Sequence, residues 1–285
     1  MSTTRISLRT RLKTATAFPS TFILRWLSKI LSKYAKKGKF GIIEAIIFSN
    51  TMTFWQRHFT VAEEIRKQAD CFSVLDVGGA GALEQFLDAR RFTLFALDTA
   101  KNAFSRRPRN VHAIIASGLS IPFREDCFDI VVSIATLEHI AREDREIFLS
   151  EMKRVTKKKV IISAPVGEVG ERYDRRYAEV HKKLLGQAEP FTAEHIRHGL
   201  PTLSELRKSF PNAKVYGVQN CSVWFVLIML EGVPMLQLFT GLIYLLTLKK
   251  FNCRPPYYSY LLSWRKATTS RPIEFARFVF RIEEA

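Results

Sequence analysis

The hydrophobic positions between residues 53 and 166 form short apolar runs separated by longer amphipathic stretches. Most of the short runs are apolar at every position, which is typical of parallel strands buried on both faces. They predict strands at residues 72–77, 92–97, 111–116, 128–134 and 158–163. The amphipathic stretches predict helices at about 53–68, 81–90 and 142–155. This alternation predicts an α/β fold with a mostly parallel sheet covered by helices.

The pattern changes after Pro165. A polar segment at 167–200 follows the fifth strand, and we expect it to lie over the mouth of a site. A helix at 202–209, a strand at 213–218 and a closing strand after Pro256 are also predicted. The chain therefore divides into a basic segment at 1–40, a main domain at 41–222 that includes the polar insertion, a hydrophobic insertion at 223–250, and a closing strand and tail at 251–285.

Positive charge is concentrated in the first 40 residues, which hold ten of the 44 Lys and Arg and none of the 27 acidic residues. Residues 20–37 place apolar side chains on one helical face and a separate row of basic side chains at a spacing of four. This pattern predicts a basic amphipathic helix at an anionic membrane surface; a helix packed on the sheet domain is the alternative. The basic excess lacks the interleaved aromatic side chains that single-stranded nucleic acid requires, which disfavours a nucleic-acid partner.

The apolar residues 223–248 form the second candidate membrane contact. The stretch exceeds the ~20 residues that span a bilayer. Glu231, Gly232, Pro234 and Gln237 near its middle favour two short helices, in the interface or as a lid, over a spanning helix. We therefore expect a cytoplasmic protein that is peripheral at the inner face of the membrane. The Arg-, Ser- and Thr-rich residues 1–18 leave a mitochondrial location as the alternative.

The four cysteines suggest reduced thiols. Cys71, Cys127, Cys221 and Cys253 are far apart and form neither a zinc-ligand spacing nor a disulfide framework. No metal site is predicted from the sequence.

A glycine-rich turn is the strongest local motif. The sequence VLDVGGAGALEQFL at 74–87 predicts a buried strand, a turn with Gly78, Gly79 and Gly81, and a helix. Such a turn brings backbone N–H groups close to a ligand, although a turn without a ligand is the alternative. A dinucleotide fingerprint that starts at Gly78 requires glycine at positions occupied by Ala80 and Leu83, so that motif is excluded.

Asp98 nevertheless indicates a nucleoside ligand. It ends the second predicted strand, 22 positions after Asp76 (98 − 76). A carboxylate in this position can accept hydrogen bonds from two ribose hydroxyls.

With FALD at 95–98, SGLSIPFREDCFDIVVSIATLEHI at 117–140 and KKVIISAPV at 158–166, the glycine turn resembles the class I S-adenosylmethionine-dependent methyltransferases. The resemblance is to the branch that methylates small molecules, quinones and glycans, and it covers about residues 72–166. It implies a Rossmann-like, doubly wound sheet and S-adenosylmethionine as cofactor. A weaker similarity to glycan-modifying methyltransferases lies in the late apolar insertion, the PPYY closing strand and EHIRHGLPT at 194–202.

The resemblance also implies roles for individual residues. Asp76, Gly78 and Gly81, with Gly79 in the same turn, would shape the pocket for the methionine part of the cofactor. Asp98 would bind the ribose hydroxyls, and the backbone of Gly118 and Leu119 would flank the adenine. The chain departs from the family at Ala80, often a glycine, and at Ser117, usually an acid. Ser117 can still accept a hydrogen bond from an adenine amino group.

Methyl transfer requires positioning and the removal of a proton from the acceptor. Histidine can take a proton near neutral pH, so His139, His181 and His195 are the candidate bases, and Glu138 is expected to orient or cap. We expect O-methylation of a lipid-linked or cell-surface saccharide or another lipid at the membrane surface. The alternatives are a quinone-type or RNA methyltransferase, and a non-catalytic, membrane-binding Rossmann-like module.

Overall fold

The computed structural model describes residues 52–68, 73–106, 110–186, 189–231, 249–252 and 254–267. The predicted basic segment at 1–40, most of the hydrophobic insertion at 223–250 and the tail beyond residue 267 lie outside the described residues. Among the helices in those ranges, none has the length and apolar character that crossing a membrane requires.

The described residues form a seven-stranded sheet. Its strands are β1 (Ser73–Val77), β2 (Thr93–Asp98), β3 (Val111–Ile115), β4 (Phe128–Ile134), β5 (Thr156–Pro165), β6 (Lys214–Asn220) and β7 (Tyr257–Arg265). They lie in the order β3-β2-β1-β4-β5-β7-β6. The pairs among β1 to β5 are parallel, and β7 is antiparallel to both β5 and β6. The predicted mostly parallel, Rossmann-like α/β sheet is confirmed.

Helices connect and cover these strands. They are α1 (Met52–Arg66), α2 (Arg145–Val155), α3 (Gly167–Leu185), α4 (Pro190–His198), α5 (Leu203–Ser209), α6 (Cys221–Glu231) and the short α7 (Lys249–Asn252). Short 3₁₀ helices lie at Ala82–Phe86, Lys101–Arg106, Leu137–His139 and Arg142–Asp144. The helices predicted at 53–68 and 202–209 correspond to α1 and α5, and the one at 142–155 to a 3₁₀ turn followed by α2.

The prediction of a helix at 81–90 is wrong, because only the 3₁₀ segment Ala82–Phe86 forms there. Gly81 precedes it with φ 84° and has no side chain that could cap an α-helix. Downstream, the Asp88 carboxylate accepts a hydrogen bond from the backbone amide of Arg90 at 3.0 Å. Turn chemistry at both ends therefore replaces the helix that the hydrophobic pattern suggested.

The hydrophobic core lies on both faces of the sheet. On one face α1 and α6 bury side chains such as Ile65 and Leu227, and on the other α2 and α5 bury Phe148 and Leu206. The strand order reverses between the adjacent strands β1 and β4. In open sheets of this kind, ligands bind at the carboxyl ends of the strands where the order reverses.

The polar insertion predicted at 167–200 folds as α3 and α4, which pack against each other. Helix α4 also contacts the 3₁₀ turn Leu137–His139, which follows β4. Arg145 links the two segments, because its guanidinium donates to the carbonyl oxygens of His198 and Gly199 and to that of Ile140. The insertion therefore lies at the carboxyl end of β4.

Candidate active site

The glycine turn that follows β1 leaves no room for side chains. Gly78 and Gly81 adopt φ values of 82° and 84°, which L-residues rarely populate. A Cβ atom at Gly78 would lie 2.3 Å from Cγ2 of Thr136, and one at Gly79 would lie 1.9 Å from Oδ2 of Asp76. The turn is thus packed between the β1 carboxylate and the segment after β4, and its backbone can approach a ligand closely.

Asp76 lies under this turn with 1% of its surface exposed, and its Oδ1 has no hydrogen-bond partner. Burial, with a smaller contribution from the Asp98 charge, raises the pKa of Asp76 from 3.8 to about 7. A buried carboxylate oxygen without a partner is costly. Asp76 is therefore ready to accept a hydrogen bond from, or pair with, a bound donor or cation.

Asp98 ends β2 next to the segment predicted to flank an adenine. Its carboxylate accepts from the backbone amide of Ala100 at 2.7 Å, and partial burial raises its pKa. The backbone amide of Ala116 donates to the Asp98 carbonyl oxygen at 3.1 Å, which brings the start of residues 116–119 beside β2. Asp76, Asp98 and this segment thus lie at the carboxyl ends of neighbouring strands of the sheet, as the sequence predicts.

Residues 117–119 form a tight backbone turn. The Ser117 hydroxyl accepts from the backbone amide of Leu119 at 3.1 Å, so it shapes this turn and keeps its own hydrogen available as a donor. A Cβ atom at Gly118 would lie 2.5 Å from Cε2 of Phe148. The glycine is therefore required for the turn to pack on α2.

His139 lies in the 3₁₀ turn after β4, and its Nδ1 is 2.8 Å from Oε2 of Glu194 on α4. Its ring centroid lies 4.8 Å from that of His195. The structure therefore brings together two of the three predicted histidines, from segments far apart in the sequence.

His195 is held in a buried polar network. Its Nδ1 lies 3.1 Å from Oδ2 of Asp174 on α3, and Oδ1 of Asp174 accepts from the Tyr258 hydroxyl at 2.7 Å. Burial lowers the pKa of His195, but the hydrogen bond with Asp174 and the nearby acidic charges outweigh that effect and raise the pKa overall. Nε2 of His195 is buried and has no hydrogen-bond partner.

Glu138 completes this group, which we call the histidine cluster (Glu138, His139 and His195). Glu138 is 1% exposed, and its Oε2 has no hydrogen-bond partner. One potential ligand atom from each of the three residues lies within 4.8 Å of the others. Glu138, expected from the sequence only to orient or cap, therefore presents a free carboxylate oxygen to the two imidazoles.

The third predicted histidine, His181, is not a member of this cluster. It lies on α3, and its ring centroid is 5.7 Å from that of Tyr177, which packs against Trp224. His181 therefore lies beside the aromatic side chains of Tyr177 and Trp224, which pack between α3 and α6.

The sequence did not reveal the residues that orient the two imidazoles. Asp174, Glu194 and Tyr258 are distant from their partners along the chain, and they meet those partners only through the packing of α3, α4 and β7. One signal was visible: both histidines directly follow a glutamate, at 138–139 and 194–195. One histidine contacts the glutamate of the other pair, because Nδ1 of His139 lies beside the carboxylate of Glu194.

Residues 75–164 match a family model described as a methyltransferase domain. These residues contain the glycine turn, Asp98, the turn at 117–119 and two members of the histidine cluster. No curated protein sequence matches this chain significantly.

Solved structures share the fold at low sequence identity. A phosphoethanolamine N-methyltransferase 2 from Haemonchus contortus, bound to phosphomonomethylethanolamine and S-adenosylhomocysteine, is 14% identical with a TM-score of 0.50; the match covers 74% of this chain and 52% of that one. The PH0226 protein from Pyrococcus horikoshii is 16% identical, with a TM-score of 0.48 and coverage of 81% and 99%. The YcgJ protein from Bacillus subtilis is 17% identical, with a TM-score of 0.44 and coverage of 73% and 99%.

The sheet order, the glycine turn and the family match identify a class I methyltransferase domain. The chain therefore contains a methyltransferase domain at 75–164, which indicates an enzyme that uses S-adenosylmethionine rather than a non-catalytic membrane-binding module. Its residues fit the cofactor: S-adenosylmethionine carries a sulfonium and an ammonium group, and Asp76 offers an unpartnered buried carboxylate oxygen beside a turn without room for side chains.

Proposed function

We propose that this methyltransferase methylates a hydroxyl group of a lipid-linked or cell-surface saccharide, or of another lipid, at the inner face of the cytoplasmic membrane. The observation that carries the proposal is the position of the histidine cluster. It follows β4 directly, and the residue before its 3₁₀ turn, Thr136, is the one that a Cβ at Gly78 would strike. An acceptor held at the cluster is thus next to the cofactor turn.

The chemistry of the cluster suits a hydroxyl acceptor. Bound S-adenosylmethionine supplies a methyl group that its sulfonium already activates, so the chain must orient an acceptor and allow its proton to leave. In this proposal Asp98 binds the ribose hydroxyls, and Asp76 pairs with the cationic methionine part. The unpartnered atoms of Glu138 and His195 can accept the hydrogen of an acceptor hydroxyl.

An apolar surface near α6 supports a lipid acceptor. A cavity of about 350 Å³ lies between the first half of α6 and the residues at and just after α7. Its lining is Asn220, Ser222, Val223, Val226, Phe251, Arg254 and Pro255. Val226 and Phe251 are 42% and 46% exposed, so apolar surface is available to an acyl or isoprenoid chain.

Membrane attachment through residues 20–40 and 223–250 is part of the same proposal. Basic residues near an anionic surface contribute about 1 kcal/mol each, so the ten at 1–40 are sufficient to hold a peripheral protein. Co-sedimentation with anionic vesicles should be strong at low salt and weaken at high salt. Retention in a carbonate-resistant pellet would contradict the peripheral arrangement, and full solubility beside anionic vesicles at low salt would exclude membrane binding.

Methyl transfer from labelled S-adenosylmethionine into fractionated cell extract tests the proposed reaction. We expect label in an organic-soluble, saccharide-containing fraction that resists mild alkali, as a methyl ether does and a methyl ester does not. The Asp98→Ala variant serves as the matched negative control. Label in the quinone or the RNA fraction alone would assign the enzyme to those acceptors and refute the saccharide proposal.

A further inference from the structure

The histidine cluster has the composition of a transition-metal site. Two imidazoles and one carboxylate converge from the turn after β4 and from α4, with potential ligand atoms within 4.8 Å of one another. Zinc sites with two histidines, one glutamate and an open fourth position use this donor set. Magnesium and calcium prefer sets made of oxygen alone, so the two nitrogens favour a first-row transition metal.

The surroundings of the imidazoles match those of metal ligands. Histidines that bind a metal through one nitrogen almost always bond a carboxylate or carbonyl through the other. Nδ1 of His139 contacts Glu194 at 2.8 Å, and Nδ1 of His195 contacts Asp174 at 3.1 Å. Both rings therefore keep Nε2 for a ligand, and Nε2 of His195 is buried without a partner.

Glu138 supplies the second, independent observation. Its side chain is almost completely buried, and its Oε2 has no hydrogen-bond partner. The buried guanidinium of Arg145 donates its hydrogen bonds to the carbonyl oxygens of Ile140, His198 and Gly199 rather than to Oε2 of Glu138. A buried carboxylate oxygen without a partner is costly, and a metal ion would satisfy it together with the free nitrogen of His195.

We propose that Glu138, His139 and His195 bind one divalent transition-metal ion, with Zn²⁺ as the ion best suited to the donor set. Tetrahedral zinc with bonds of about 2.1 Å holds its ligand atoms about 3.4 Å apart. The most distant pair in the cluster must therefore close by roughly 1.4 Å, a movement within reach of side-chain rotation. Asp174 and Glu194 are positioning residues that fix the two rings.

The open coordination position would hold the acceptor, and this role rests on the proposed hydroxyl methylation. A metal ion lowers the pKa of a bound hydroxyl and acts as a Lewis acid. The acceptor O–H then releases its proton to water, its oxygen bonds the methyl carbon, and the carbon–sulfur bond breaks with its electron pair on sulfur. In this arrangement His139 and His195 are metal ligands, and the metal rather than an imidazole base activates the oxygen.

Titration of the tag-free, metal-stripped full chain with Co²⁺ and Zn²⁺ tests the site. Co²⁺ should bind at one equivalent with a visible d–d absorption of tetrahedral type, and Zn²⁺ should displace it. Glu138→Gln and His195→Ala should weaken binding by about 100-fold or more, and Asp174→Asn by about 10- to 100-fold. His112→Gln, at an exposed histidine on β3, is the control and should bind as the parent does.

Parent-like affinity in a folded Glu138→Gln variant, whose side chain keeps its size, would overturn the proposal. So would the absence of a one-equivalent Co²⁺ spectrum in the parent chain. Full methyl transfer to a lipid by the metal-free enzyme would refute the role of the metal in the reaction and leave the proposed function standing. Metal binding at the histidine cluster without methyl transfer to a lipid would support the metal site and refute the proposed function.

Discussion

Replacement of Asp76 by asparagine should stabilise the protein and weaken its cofactor binding at the same time. The Asp76 side chain is buried under the glycine turn, and one of its oxygens has no partner. Burial raises its pKa from 3.8 to about 7, so the folded protein holds a proton that the unfolded chain releases between these values. Stability is therefore lost as the pH rises through this window.

The size of the effect follows from the same two values. A rise from 3.8 to about 7 corresponds to a loss of up to about 4 kcal/mol once Asp76 is ionised. Asparagine has nearly the same shape and no charge. At pH 8 we therefore expect Asp76→Asn to unfold with a free energy up to about 4 kcal/mol larger than that of the parent, and near pH 3.5 the two should agree.

Urea unfolding of the cofactor-free proteins across this pH range measures the difference, and calorimetry measures the affinity for S-adenosylmethionine. Loss of a hydrogen bond to a charged group costs about 1.5–3 kcal/mol, so affinity should fall by roughly 10- to 100-fold. Asp88→Asn, at an exposed carboxylate, should change neither quantity. An Asp76→Asn variant that is less stable than the parent at pH 8 would refute this reasoning, because the carboxylate would then have a stabilising partner.

Four further substitutions test the cofactor site and the pH dependence of stability. Asp98→Ala should lower the affinity for S-adenosylmethionine by roughly 10- to 100-fold in calorimetry, because it removes the carboxylate that accepts from the ribose hydroxyls. An unchanged affinity would exclude ribose binding by Asp98. Gly79→Ala should abolish detectable cofactor binding, because the new Cβ would lie 1.9 Å from Asp76 Oδ2. The matched variant Ala80→Gly should bind the cofactor within a few-fold of the parent. Equal affinities of the two variants would contradict the requirement for glycine at position 79. Burial lowers the pKa of His58 from 6.5 to about 4, so about 3 kcal/mol of stability present above pH 6.5 should be lost as the pH falls towards 4. His58→Leu should remove this dependence in urea unfolding, and an unchanged pH profile would show that another group causes it.

The parallel strands could be predicted because burial on both faces leaves a continuous apolar run. Strands β1 to β4 agree with the prediction to within one residue at the ends that the structure describes. Strand β5, at Thr156–Pro165, extends two residues beyond the predicted strand at each end, and Lys159 within it is buried. The lysine is accommodated by an ion pair with Glu64 on α1, a contact that no local pattern announces.

The cofactor half of the site was predictable, and the histidine cluster was predictable only in part. Asp76, the glycine turn and Asp98 follow adjacent strands, so their order in the sequence determines their position in the fold. His195 reaches His139 only because α3 and α4 fold back onto the turn after β4. That tertiary arrangement also supplies Asp174 and Glu194, and no spacing rule could have joined them to their histidines.

A crystal structure with S-adenosylhomocysteine tests the central claim most directly, namely that the glycine turn and the histidine cluster form one active site. We predict that the methionine part contacts Asp76 and the glycine turn, that the ribose hydroxyls bond to Asp98, and that the sulfur atom faces Glu138, His139 and His195. A ligand bound elsewhere, such as in the cavity beside α6, or a sulfur atom directed away from the cluster, would contradict the account.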